Sequence, residues 1–112
     1  MYTTGPTLEV IARAIDVCAL KQAVYSANIA NVNVDGYKRL EVQFDAQAMR
    51  AEASAGAVPA QQAQVVATNS SVELDTEVAA MARNALRWQT LISAYESSTS
   101  VMKLAVHEGK GV

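Results

Sequence analysis

The sequence has one cysteine, one histidine, one tryptophan and one phenylalanine among 112 residues, and each scarcity removes a class of function. A single thiol, Cys18, forms no internal disulfide, and Cys18 with the lone His107 does not make the nitrogen and sulfur ligand set of a structural or catalytic metal. No metal or cofactor is therefore expected. Few large aromatic anchors mean a modest core, because much of the 51% hydrophobic share is alanine, which removes little area from water. A small chain with so thin a core gains from a partner surface.

Charge of one sign is also lacking. Nine Lys and Arg against eleven Asp and Glu leave a net charge of -2, with no basic run to neutralise a row of phosphates, so nucleic acid is not an expected partner. No stretch reaches the roughly 20 consecutive apolar residues that a membrane-spanning helix needs. The residues Met1 to Pro6 carry no basic n-region, and Glu9, Arg13 and Asp16 interrupt the apolar residues beyond them. No cleaved signal peptide is expected, which leaves a soluble chain or one exported by a route that does not use that signal.

Helical periodicity is present at both ends. Leu8, Ile11, Ile15, Cys18, Gln22, Tyr25, Ile29 and Val32 step alternately by three and four, as in a coiled-coil seam with Gln22 its only polar member. Pro6 and Thr7 suit a helix start and Asn28 and Asn31 a helix end, so a helix is expected over 7–31. A second seam runs through Leu74, Val78, Met81, Ala85, Trp88, Ile92, Tyr95, Thr99, Met102 and Val106. Asp75 is a candidate N-cap, Glu77 lies in the first turn, and Gly109 is a stop, giving a helix over 76–107. Ser97 to Ser100 form a small-residue contact or a soft spot in it.

Between the helices, Asn33-Val34-Asp35-Gly36 signals a turn. Leu40, Val42 and Phe44 then alternate with polar residues, so 33–44 reads as a turn and extended arm. Residues 45–71, rich in Ala, Gln and Ser, read as a flexible linker, to which Val65 and Val66 could add a short extended piece. The expected fold is one mainly α domain over 1–112, with two long terminal amphipathic helices in an antiparallel coiled-coil-like hairpin. The second helix exceeds the first by about two turns of ~3.6 residues, so part of its seam is expected to face another chain.

No residue type that carries chemistry occurs in a constellation. Cys18 lies on the seam beside Ile15 without an electropositive, accessible setting, and His107 in a last turn complements the helix dipole. The acids Glu73, Asp75 and Glu77 are what a helix start favours. No catalytic residue and no small-molecule substrate are expected, and the chain is not expected to be an enzyme.

The unusual segment is Ser26 to Lys38, where three asparagines exceed what ending one helix requires. Asn28 and Asn31 share a face, where their amides can bridge to backbone of an adjoining chain. Ala27-Asn28-Ile29-Ala30-Asn31 and Gly36-Tyr37-Lys38 resemble the signature Ala-Asn-Ile-Ala-Asn-x-x-Thr-Pro-Gly-Tyr-Lys of the bacterial flagellar rod, hook and hook-associated proteins. Val34 and Asp35 stand where that signature has Thr-Pro, leaving Gly36 to supply the turn. Val72 to Val78, Asn84, Trp88-Gln89 and Leu91 are similar to the C-terminal helix of proximal-rod members of the family.

The resemblance implies a structural subunit of the flagellar basal body, exported across the inner membrane by the flagellar type III apparatus. It would assemble with other rod proteins and with a membrane-ring or adaptor protein at the rod base, and would transmit torque for motility. It also implies subunit contacts at Asn28, Ile29, Asn31, Gly36, Tyr37 and Lys38. The seam residues Ile11, Ile15, Tyr25, Val78, Met81, Trp88, Ile92, Tyr95 and Met102 would carry the helix packing and self-association. The rival reading is a freestanding helical adaptor or export chaperone that binds a partner's amphipathic helix in a groove.

Overall fold

A computed structural model of the chain describes residues 4–44 and 63–110. Helix α1 (Thr4–Ala30) leads through a turn to strand β1 (Leu40–Phe44), and strand β2 (Ala63–Ala67) precedes the long helix α2 (Leu74–Lys110). The hairpin of two terminal helices expected from the seams is present. Asn28 meets Glu77 and Gln22 meets Asn84, so positions descend along α1 as they rise along α2 and the helices are antiparallel.

Both helices begin earlier than their sequence signals suggest. α1 begins at Thr4 with Pro6 in its first turn, where the missing N–H costs no hydrogen bond. α2 begins at Leu74, and Gly109 lies inside its last turn instead of stopping it. Its 37 residues span roughly 55 Å at ~1.5 Å per residue.

The stretch expected as one linker divides. Residues 45–62 lie outside the described residues, whereas Ala63–Ala67 is a strand, because its backbone can complete that of β1. The two strands pair antiparallel with Leu40 opposite Ala67, Val42 opposite Val65 and Phe44 opposite Ala63. The pairing continues past the strands, where the Arg39 carbonyl accepts from the Thr68 N–H at 2.9 Å and the Thr68 hydroxyl at 2.8 Å.

The molecule is long and thin, 67 × 30 × 13 Å. Its radius of gyration of 18.3 Å exceeds the ~13 Å of a compact domain of this length. A body about one helix thick surrounds few side chains. Among the described residues Cys18 and Val24 are the buried hydrophobic ones, joined by the polar residues Asn28, Glu77 and Asn84. No described helix is long and apolar enough to cross a membrane.

Candidate functional site: a polar elbow where five segments meet

α1 ends at Ala30, and Asn31 closes it. The Asn31 Nδ2 donates to the Ala27 carbonyl at 2.8 Å, and its backbone N–H reaches the same carbonyl at 3.1 Å, so a helix-end acceptor is satisfied from within the chain. Two turn bonds come next, Val34 N–H to the Asn31 carbonyl and Tyr37 N–H to the Val34 carbonyl. In the second turn Gly36 has φ +78°, and no non-glycine residue described has positive φ. That is the pattern of a type II turn with glycine at its third position. Asp35 occupies the second position, where proline's fixed φ also fits, so replacing the proline of the signature keeps the turn.

The turn delivers β1 alongside Asn28, whose side chain is 0% exposed. Its Nδ2 donates to the Leu40 carbonyl at 2.9 Å, and its Oδ1 accepts from the Leu40 N–H at 2.8 Å. These are the two bonds that a neighbouring strand would make, so the amide of one side chain closes the edge of β1 turned away from β2. The remaining valences are also filled. Nδ2 donates to Glu77 Oε1 at 3.2 Å, and Oδ1 accepts from the Tyr37 hydroxyl at 3.1 Å. Two donor hydrogens and two acceptor positions are all that an asparagine amide has.

Glu77, in the first turns of α2, is 1% exposed. Its Oε1 also accepts from Arg39 Nε in an ion pair, and the Arg39 Nη1 lies 3.5 Å from Glu41. Burial pulls the Arg39 pKa down, but the hydrogen bond and charge of Glu77, then those of Glu41, outweigh it and hold the guanidinium above its ordinary value. Arg39 therefore stays charged. Its backbone binds the exit of β2, donating to the Ser70 carbonyl at 2.8 Å, while its side chain binds α2. The end of α1, the turn, β1, the exit of β2 and the start of α2 are thus joined through Asn28, Arg39 and Glu77. The other oxygen, Glu77 Oε2, is buried without a partner among the described residues.

A second polar contact lies farther along the hairpin. Asn84 donates through Nδ2 to the Cys18 carbonyl at 2.8 Å and to Gln22 Oε1 at 2.7 Å. Gln22, the one polar member of the first seam, is thereby matched across the interface. Two polar matches at separate heights fix the register of the helices, because a slip of one turn would leave Asn28, Glu77 and Asn84 buried and unpaired.

The asparagine-rich segment divides its work. Asn28 and Tyr37 are bonded to each other, and Gly36 shapes the turn. Asn31 acts within its own helix end, Ile29 is half-buried and Lys38 is exposed. The Asn28 amide is satisfied wholly inside the chain, so the exposed members of the segment are those with surface to offer a neighbour. Along the seams Ile11, Ile15, Tyr25, Met81, Trp88 and Met102 are half-buried, whereas Val78, Ile92 and Tyr95 are exposed. The buried positions of α2, Glu77 and Asn84, each precede a seam residue, Val78 and Ala85, and so lie about 100° round the helix from that stripe. The polar partners Arg39 and Glu77 were not evident from the sequence, since a strand arginine and a first-turn glutamate are both ordinary on a surface. Among the described residues no group of three His, Cys, Asp or Glu side chains could hold a metal.

Residues 8–38, from Leu8 in α1 through the turn to Lys38, match the family model described as flagella basal body rod protein. No curated protein matches the chain. The matched span contains Asn28, Asn31, Gly36 and Tyr37, each with a definite bonding or turn-forming task in the elbow. The match covers the first helix and the turn, and it makes this part of the chain similar to the flagellar basal-body rod proteins.

Proposed function

We propose that the chain is a structural subunit of the flagellar rod, of the proximal-rod type that FlgB represents, that links the membrane ring to the rest of the rod and carries torque. The observation that supports this reading best is the coincidence of the family match with the elbow. The segment matched over residues 8–38 supplies Asn28, Gly36 and Tyr37 to the elbow, and Arg39 and Glu77, outside the match, complete it. A subunit that transmits torque needs such a joint, because load passing between its helices must not shear their register.

The unpartnered apolar surface supplies the other half of the reading. Leu74 and Val78 at one end of α2, and Val101, Leu104 and Val106 at the other, are exposed. Side chains of this kind along a helix gain by packing against neighbouring subunits. Export through the flagellar type III apparatus without a cleaved signal, and contact with other rod proteins and the ring or adaptor protein at the rod base, belong to the same proposal.

Deleting the gene in its native host tests the reading. Loss of swimming, with basal bodies that lack a completed rod, is the expected outcome, and a tagged copy should co-purify with basal bodies from the complemented strain. A deletion strain that builds complete rods and swims normally would remove the rod assignment. A tagged chain held in the cytoplasm with an exported partner would favour the export-chaperone reading instead.

A further inference from the structure

The face formed by α1, α2 and the end of β1 carries two adjoining grooves with a common cationic rim. One, of about 410 Å³, is lined by Ala14, Val17, Lys21, Phe44, Arg87 and Leu91 among others. The second, about 300 Å³, adjoins it through Lys21, Asn84 and Arg87 and adds Tyr25, Ala80 and Arg83. Arg83 and Arg87 are one turn apart on α2 and exposed, and neither they nor Lys21 forms an ion pair among the described residues. Lys21 lies 5.8 Å from the centroid of the Phe44 ring, which holds its ammonium over the groove. Glu41 lines the far side of Lys21 and is already engaged with Arg39. An apolar floor edged by three cations that form no ion pair among the described residues suits a segment that is apolar along one line and acidic beside it.

The same chain displays such a segment. In the first turns of α2, Leu74 and Val78 are exposed, lie one turn apart and are flanked by the exposed carboxylates of Glu73 and Asp75. Asp75 accepts from the Thr76 N–H at 2.9 Å, but neither acid is paired with a cation among the described residues. We infer that the Lys21, Arg83 and Arg87 groove receives the Glu73–Val78 turn of a second copy of this chain. Leu74 and Val78 cover the apolar floor, and Glu73 and Asp75 meet the arginines. The two patches are unlike and lie on one chain, so each copy both gives and receives, as a propagating assembly requires. Partial desolvation makes these pairs stronger than isolated surface ion pairs, and their outer edges remain open to salt.

The inference deepens the rod reading, and a charge swap on the full chain tests it separately. Sedimentation velocity of the wild type should show self-association at about 50 mM salt that weakens at about 500 mM, where the Debye length falls well below ~10 Å. Arg83→Glu with Arg87→Glu should raise the dissociation constant at least ~10-fold, and Glu73→Lys with Asp75→Lys should do the same. An equimolar mixture of the two variants should recover association, because each then offers the charge that the other lost. Glu73→Gln with Asp75→Asn keeps a capping side chain and should give an intermediate loss, which separates the contact from damage to the helix start. Far-UV circular dichroism should be unchanged in the arginine variant.

A wild type that stays monomeric, including one that binds only a different rod protein, overturns the assignment of a second copy. A mixture no better than its components overturns the contact. If the swap fails while gene deletion still abolishes swimming, this contact falls and the rod reading stands. If the swap succeeds in a chain dispensable for swimming, the reverse holds.

Discussion

The two ends of the helical hairpin are built on opposite terms. At the elbow end the buried side chains are polar and bonded, with Asn28 filling all four of its valences. At the far end the side chains are apolar and open, with Leu104 62% exposed and Val106 55%. The register of the Asn28–Glu77 and Gln22–Asn84 pairs, followed back along α1, brings its first residues level with about residue 101 of α2. The last turns of α2 therefore have no α1 beside them. Directional polar bonds specify one arrangement within the chain, whereas an open apolar end accepts a surface from outside it. The contrast teaches where this chain is complete and where it is not.

The largest effect should come from breaking the closed end. Asn28→Ala leaves the Leu40 N–H and carbonyl without partners on that edge and removes a donor from buried Glu77. With each orphaned buried group costing about 1–3 kcal/mol, a loss of about 3 kcal/mol or more is expected. That is a large part of a total near 5–15 kcal/mol, and thermal unfolding should show it as a fall in Tm of more than about 10 °C. Asn84→Ala removes the second match and strands Gln22 Oε1, so urea unfolding should register about 1–2 kcal/mol. Gly36→Ala should cost about 1 kcal/mol through backbone strain alone. A Cβ there meets nothing within 4 Å, but φ +78° remains disfavoured for alanine. The smallest effect belongs to the open end, where Leu104→Glu should change the stability of the isolated chain by less than about 0.5 kcal/mol. In cells the same substitution should reduce incorporation into the rod, which fractionation of basal bodies would show.

The helices were legible because their seams repeat over many turns, and an amphipathic period is a property of neighbouring residues. The Val34 to Tyr37 turn was legible for the same reason, with glycine as its local sign. Strand β2 was legible only as a hint at Val65 and Val66, since its order comes from pairing with β1 and not from its own composition. The elbow was half legible. A surplus of asparagines marked it, but Asn28 finds Leu40 twelve positions away and Glu77 forty-nine away, and no local pattern encodes either contact. Glu77 was disguised as an ordinary first-turn acid and Arg39 as an outward strand residue, because the roles of both depend on burial. Val78, Ile92 and Tyr95 share the helical period of their seam yet lie exposed while Met81 and Trp88 of the same seam are half-buried, since α1 is engaged chiefly by the adjacent stripe that carries Glu77 and Asn84.

Hydrogen exchange along α2, followed by mass spectrometry in the free chain and in purified basal bodies, tests the contrast between the two ends most directly. Slow exchange is expected from Glu77 to Leu91 in both samples, whereas exchange from Val101 to His107 should be fast in the free chain and slowed at least ~10-fold in the assembled rod. Equal protection along the whole of α2 in the free chain, or a far end that exchanges as fast in the rod as outside it, would contradict that contrast.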